Sequence, residues 1–293
     1  MAKNIRVIPR LDIKGPNLVK GIHLEGLRVL GKPEDFARYY YENGADELVY
    51  MDIVASLYNR NSLHDIIART AREIFIPLTV GGGIRTIDDM RGILRAGADR
   101  VALNTMAIKN PDIISQASRT FGSSTIVISI EAIKQPDGRY LAYTDCGREY
   151  TGVEVGEWAK AVERLGAGEI FLTSVDRDGT GLGYDTDLIA MVSSRISIPV
   201  IAYGGAGKLE DVAVAVRAGA DAVSISSMFH YDFVENSQIS KEHFQEEGNI
   251  EYRTSGKKFT KVVLANIAQV KNYMLQEGIN CRHDFDFRGA RLM

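Results

Sequence analysis

The 293-residue sequence has no apolar run near the roughly 18 residues that a membrane-spanning helix needs, which points to a globular protein in water. Met1-Ala2-Lys3-Asn4 leads straight into a strand-like segment and leaves no room for a cleaved leader, so the cytoplasm is the expected compartment. Cysteine is scarce. Cys146 and Cys281 lie far apart and lack the paired spacing of a zinc site or a disulfide framework, so both are expected as reduced thiols. No excess of one charge is present either: the net charge is −3 with both signs interspersed, no basic stretch offers a footprint for nucleic acid, and an anionic ligand has to be held by local groups.

Two further absences narrow the chemistry. Gly82-Gly83 does not belong to a GxGxxG that opens a helix, so a dinucleotide fingerprint is missing. His23, His64, His230, His243 and His283 show no metal-ligand spacing, and surface or structural roles are expected for them, with His23 in the loop after the first strand.

What the sequence does contain is an internal repeat. Pro77-Leu-Thr-Val-Gly-Gly-Gly-Ile-Arg85, continuing from Arg95 to Met106, aligns without a gap on Pro199-Val-Ile-Ala-Tyr-Gly-Gly-Ala-Gly207 and on Arg217 to Met228, at an offset of 199 − 77 = 122. The same offset carries Gly44-Ala-Asp-Glu onto Gly166-Ala-Gly-Glu, and two equivalent halves follow. Short β-rich runs fall at about 5–13, 47–53, 77–81, 100–104, 125–131, 169–175, 199–203 and 222–226, separated by helical periodicity as in 32–43, 87–96, 155–165 and 209–218. Strands apolar on both faces belong to a parallel sheet, and eight of them in two equal halves predict one α/β domain over 1–293, a closed (β/α)8 TIM barrel. Residues 231–256 are polar, without periodicity, and read as an insertion in the loop after the eighth strand, ahead of an amphipathic helix over 257–276 and a mixed tail over 281–293.

Candidate chemistry sits where the strands end. Gly83, with Asn104 and Thr105, and Gly204-Gly205, with Ser226 and Ser227, recur symmetrically after strands three, four, seven and eight. Glycines let backbone N–H groups approach an anion, and the polar neighbours add donors, so a phosphate is expected at each end of a long ligand. Asp12 and Glu131 occupy the same place in strands one and five, opposite each other in an eight-stranded ring. A buried carboxyl is costly unless it is solvated, paired or working; facing acids suit general acid/base catalysis, and a paired structural role is the alternative.

These residues resemble the cyclase subunit of imidazole glycerol phosphate synthase (HisF) from about residue 5 to Phe229 and again in the last helix. The stretches that carry the resemblance include Leu11-Asp-Ile-Lys, Val19-Lys-Gly21, Pro77 to Arg85, Lys109-Asn-Pro111, Thr173-Ser-Val-Asp-Arg-Asp-Gly-Thr180 and Gly204-Gly-Ala-Gly207. The resemblance implies a glutaminase partner of class I at the N-terminal face of the barrel. Ammonia would then pass through the lumen to a bisphosphate ribosyl-aminoimidazole, with no cofactor or metal. It makes Asp12 and Glu131 catalytic, gives the two grips their phosphates, and puts Arg10, Lys20, Asp52, Thr173, Ser174, Asp178 and Tyr203 in the substrate pocket. It further assigns Arg6, Glu47, Arg100 and Glu169 to the ammonia gate and Asp99 to partner docking.

Departures from the family pattern cluster in the upper half: Glu131 for aspartate, Arg10 for cysteine, Tyr203 for serine, and the insertion 231–256. Because side chains alternate along a strand, Arg10 and Asp12 share the lumen side, where the guanidinium is expected to find an acid. Three other readings stay open. One is a paralogue that channels ammonia to another amidation, such as amidino-sugar synthesis for surface polysaccharide. The second is the related sugar-phosphate isomerase, which needs no ammonia entrance. The third is a subunit that only stimulates its glutaminase, which needs no phosphate grips.

Overall fold

The computed structural model describes residues 3–53, 63–236 and 261–283. Twelve strands run through them: β1 (Arg6–Lys14), β2 (Asn17–Ile22), β3 (Glu25–Gly31), β4 (Leu48–Asp52), β5 (Leu78–Gly81), β6 (Arg100–Leu103), β7 (Ile126–Lys134), β8 (Tyr140–Thr144), β9 (Glu149–Glu154), β10 (Glu169–Ser174), β11 (Val200–Tyr203) and β12 (Ala222–Ile225). Their helices are α1 (Pro33–Glu42), α2 (His64–Thr70), α3 (Ile87–Ala96), α4 (Thr105–Lys109), α5 (Asp112–Phe121), α6 (Val155–Arg164), α7 (Thr186–Ser193), α8 (Leu209–Arg217), α9 (Ser227–Asn236) and α10 (Ile267–Gln276).

Eight strands pair in parallel in the order β10-β11-β12-β1-β4-β5-β6-β7, and β7 pairs back onto β10, from Val127 opposite Glu169 to Ala132 opposite Ser174. The sheet is therefore a closed (β/α)8 barrel with strands at the eight places read from the sequence. Alternation along β1 explains the two apolar layers: Val7, Leu11 and Ile13 pack outward under the helices, while Ile8 points into the ring with Val49, Phe171, Ile201 and Tyr203. Local signals agree with this. Thr86 caps α3 through a reciprocal bond pair with Asp89, and Gly97 ends the helix at φ 117°, a conformation that favours glycine.

Four sequence expectations change. β1 and β7 run on past the ring into antiparallel hairpins, β2–β3 and β8–β9, which the strand reading left out. The fourth barrel strand stops at Leu103, because Asn104 turns the chain into α4. Residues 231–236, read as the start of the insertion, continue α9, since Phe233 reaches the Phe36 ring at 4.5 Å and the Tyr39 ring at 4.6 Å. The last helix starts at Ile267, ten residues later than expected, because Asn266 and Gln269 form a capping box there. Residues 237–256 of the insertion, 257–260, His243 and the tail beyond His283 lie outside the described residues.

The last helix is fastened to the barrel by a buried cation. Lys271 Nζ donates to the Gly44 carbonyl at 2.7 Å and to Asp46 Oδ1 at 2.8 Å, while Asp46 Oδ2 accepts from the Val7 N–H at 2.7 Å. Next to it, the Ile5 N–H donates to the Asn280 carbonyl at 2.8 Å, so both ends of the described chain meet at the N-terminal face. Arg282 Nε also reaches Asp46 Oδ1 at 2.8 Å, so the carboxylate keeps one cation when Lys271 is lost. Lys271→Ala is therefore expected to lower the unfolding free energy by about 1–3 kcal/mol in urea titration, the cost of a lost charged hydrogen bond.

Candidate active site

The N-terminal mouth of the barrel is closed by charge. Arg6 Nη1 donates to Glu47 Oε1 at 2.8 Å and Arg6 Nη2 to Glu169, while Arg100 Nη1 donates to Glu47 Oε2 at 3.1 Å and to Glu169 Oε2 at 2.9 Å. Each of the four stands at or beside the first residue of a barrel strand, so two arginines and two glutamates alternate around the opening. Asp99 lies at the same end on the outer surface, exposed, accepting from the Leu78 N–H at 2.8 Å, in a shallow depression that includes the highly exposed Phe75.

Above that mouth the ring interior carries the acids. Asp12 and Glu131 lie where β1 and β7 leave the ring for their hairpins, on strands four places apart around it. Both are buried, at 2% and 8% exposure, so neither side chain is idly solvated. Asp12 Oδ1 accepts from Arg10 Nε at 2.8 Å, the pairing expected from alternation. The guanidinium reaches across to Thr173 Oγ1 at 3.4 Å and lies over the Tyr203 ring, 4.2 Å from its centroid. Glu131 Oε2 accepts from the Gly147 N–H at 2.8 Å. Burial outweighs that bond and the nearby Arg10 charge, and pushes the Glu131 carboxyl up to about 7.

Each grip is built on a pair of left-handed glycines. Gly82 and Gly204, at φ 101° and 103°, press against the carbonyls of Asp52 and Ser174, where an added Cβ would lie 2.2 Å and 2.5 Å from the oxygen. Gly83, Asn104 and Thr105 line one cavity of about 200 Å3 together with Arg10, Asp52 and Glu131. Within it, Asn104 Nδ2 donates to the Tyr143 carbonyl at 3.2 Å, and its buried Oδ1 has no hydrogen-bond partner among the described residues. Gly204, Gly205, Ser226 and Ser227 gather at the other end with Lys20, Asp178 and Tyr203. Lys20 Nζ donates to Asp178 Oδ1 at 2.8 Å; burial works against the Asp178 charge, but Lys20 and Arg10 more than offset it and hold the carboxyl below the usual range. Ser174 is buried beneath Gly204 and does not line either cavity.

Residues outside the sequence-derived set also line the first cavity. Arg85 and Lys109 bring cations to the Gly83 end, and Asp145 and Cys146 come from the β8–β9 turn. Arg85 and Lys109 were legible as the ends of the Gly-Gly-Gly-Ile-Arg and Lys-Asn-Pro stretches; the turn residues depend on a hairpin that carries no strong strand pattern. Cys146 Sγ donates to the Ile53 carbonyl at 3.1 Å, and burial pushes its thiol up to about 12. Among the described residues no group of three or more His, Cys, Asp or Glu side chains is placed to hold a metal ion, and no helix is long and apolar enough to cross a membrane. His23 Nδ1 meets the Val175 carbonyl at 2.8 Å and His230 Nδ1 meets the Tyr40 hydroxyl at 2.6 Å.

Known proteins resemble this chain over most of its length. A family model described as histidine biosynthesis protein matches residues 6–235. The imidazole glycerol phosphate synthase subunit HisF of Legionella pneumophila is 59% identical over 208 residues, covering 71% of this chain and 98% of that protein. HisF of Streptomyces griseus is 48% identical over 231 residues (79% and 92%), and that of Alkaliphilus metalliredigens 49% over 230 residues (78% and 91%). None of these names supports the isomerase or amidino-sugar readings. With most of its length matched at this level, the chain belongs to the histidine biosynthesis protein family, as a member of its HisF group.

Proposed function

We propose that this chain is the cyclase subunit of an imidazole glycerol phosphate synthase, working with a glutaminase subunit in histidine biosynthesis. One observation carries the reading: a single closed ring of strands bears the Arg6, Glu47, Arg100 and Glu169 cluster at its N-terminal end and, at its C-terminal end, the buried acids Asp12 and Glu131 with the two glycine grips. The glutaminase subunit docks on the N-terminal face, where Asp99 and Phe75 are exposed. Ammonia passes the charged ring and travels beside the inward hydroxyls of Thr79 and Ser129, which have no hydrogen-bond partner among the described residues. It emerges in the cavity lined by Glu131.

The substrate is a bisphosphate ribosyl-aminoimidazole that is cleaved and cyclised with this ammonia. One phosphate takes the backbone around Gly83, the Asn104 and Thr105 side chains, and the charges of Arg85 and Lys109; the other takes Gly205 and Ser227. Proton transfer falls to Glu131. A carboxyl that titrates near the working pH holds both its acid and its base form in useful amounts, which is the condition for general acid/base catalysis. Asp12 is the second carboxyl, oriented by Arg10.

Glu131→Gln is expected to lower ammonia-dependent kcat by about 100-fold or more, and to remove an alkaline limb near pH 7 from the wild-type rate profile, both read by steady-state turnover. The stability sign follows from the same burial. The folded-state value lies above that of the unfolded chain, so the stabilisation is present at low pH and is lost as pH rises through about 7. The melting temperature of wild type relative to Glu131→Gln should therefore fall between pH 6 and pH 8, and a constant difference would contradict the burial effect. Asp99→Asn keeps an acceptor for the Leu78 N–H but removes the charge. Glutamine-dependent turnover with the glutaminase subunit should drop severalfold, while turnover on added ammonium salts persists.

A further inference from the structure

The 122-residue repeat makes the two grips equivalent in backbone, yet they differ in space. Gly82 and Gly204 share their left-handed geometry, and Asn104 and Thr105 correspond to Ser226 and Ser227. The halves differ in the cations Arg85 and Lys109, which become Gly207 and Tyr231, and in the residue before the glycine pair: Gly81 in the first half corresponds to Tyr203 in the second. The Gly83 end opens into a cavity of about 200 Å3, whereas the Gly205 end holds about 10 Å3. That is room for no more than about one water molecule.

Hydrogen accounting explains what fills the second end. Ser226 Oγ donates its only proton to the Arg10 carbonyl at 2.7 Å, so the 3.2 Å contact with Tyr203 is a bond from the phenol to Ser226 Oγ. Lys20 Nζ lies 3.4 Å from the same phenol oxygen and is held by Asp178 at 2.8 Å and 3.1 Å. The Arg10 guanidinium, itself tied to Asp12, covers the face of the ring. Ser226 and Lys20, two of the donors an anion would use here, are thus already committed inside the protein.

We propose that Tyr203, clamped by Arg10, occupies the second grip and is a specificity-determining residue: the resting pocket takes one phosphate group, at the Gly83 end, and the Gly205 end opens only when the phenol swings out. A two-phosphate ligand then binds in order, with its first phosphate seated at Gly83 before Tyr203 is displaced. The proposal rests on the phosphate assignment made above, but it does not depend on which reaction follows.

The test is to count bound anions on the full chain by equilibrium dialysis against radiolabelled inorganic phosphate. Wild type should bind one phosphate per chain and Tyr203→Ser two. Thr105→Asp, which sets a carboxylate at the open end, should take wild-type binding from one to none. Two phosphates on wild type, or one on a Tyr203→Ser chain with a cooperative melting transition, would overturn the proposal, as would a phosphate retained by Thr105→Asp. If the serine variant does not fold, Tyr203→Ala takes its place with the same expectation of two. Two sites on wild type would leave the cyclase reading intact, while missing ammonia-dependent turnover alongside the one-to-two change would remove that reading and leave the clamp.

Discussion

Closure of the ring through β7 and β10 is the constraint from which the rest follows. A closed parallel barrel has no free edge and only two openings, so every polar group placed inside must be satisfied by another group inside or by a guest. The interior answers this in tiers. Arg6 and Arg100 neutralise Glu47 and Glu169 at the lower mouth, Arg10 neutralises Asp12 higher up, and Lys20 neutralises Asp178 beneath the hairpin. Glu131 alone among these carboxyls takes a backbone N–H in place of a cation as its hydrogen-bond donor, and burial keeps its proton to near neutral pH. The tiers also show why single charge deletions inside such a ring are costly, since each leaves a partner without water.

Repetition supplies the scaffold, and departures from it supply the individuality of this chain. The halves agree where backbone geometry is dictated, as at Gly82 and Gly204. They disagree at Asp12 against Glu131, at Asp52 against Ser174, and at Gly81 against Tyr203, all of which lie at the upper end. A symmetric frame thus holds an asymmetric pocket, as expected for a ligand whose two ends differ.

Much of this was legible before any coordinates. The 122-residue repeat and the fully apolar strands require a parallel barrel, and alternation along β1 already brings Arg10 and Asp12 to one side. The hairpins were harder to see because their outer strands, β3 and β9, are largely exposed and carry mixed polarity, although Gln135-Pro-Asp-Gly138 is a turn signal with a clear mechanism. Residues 231–236 look polar in isolation; only the buried contacts of Phe233 with Phe36 and Tyr39 make them helix. The cation over the Tyr203 ring joins positions 10 and 203, a distance in sequence that no local pattern reports.

The sulfur chemistry of the upper cavity follows from how deeply Cys146 is set. With its thiol held near 12, only about one molecule in a hundred thousand carries the thiolate at neutral pH, and thiolate is the form that attacks disulfides and alkylating reagents. Cys281 is likewise shifted upward by burial. Burial thus disfavours the reactive thiolate at both sulfurs, and Cys146 enters the cavity lining as a neutral thiol.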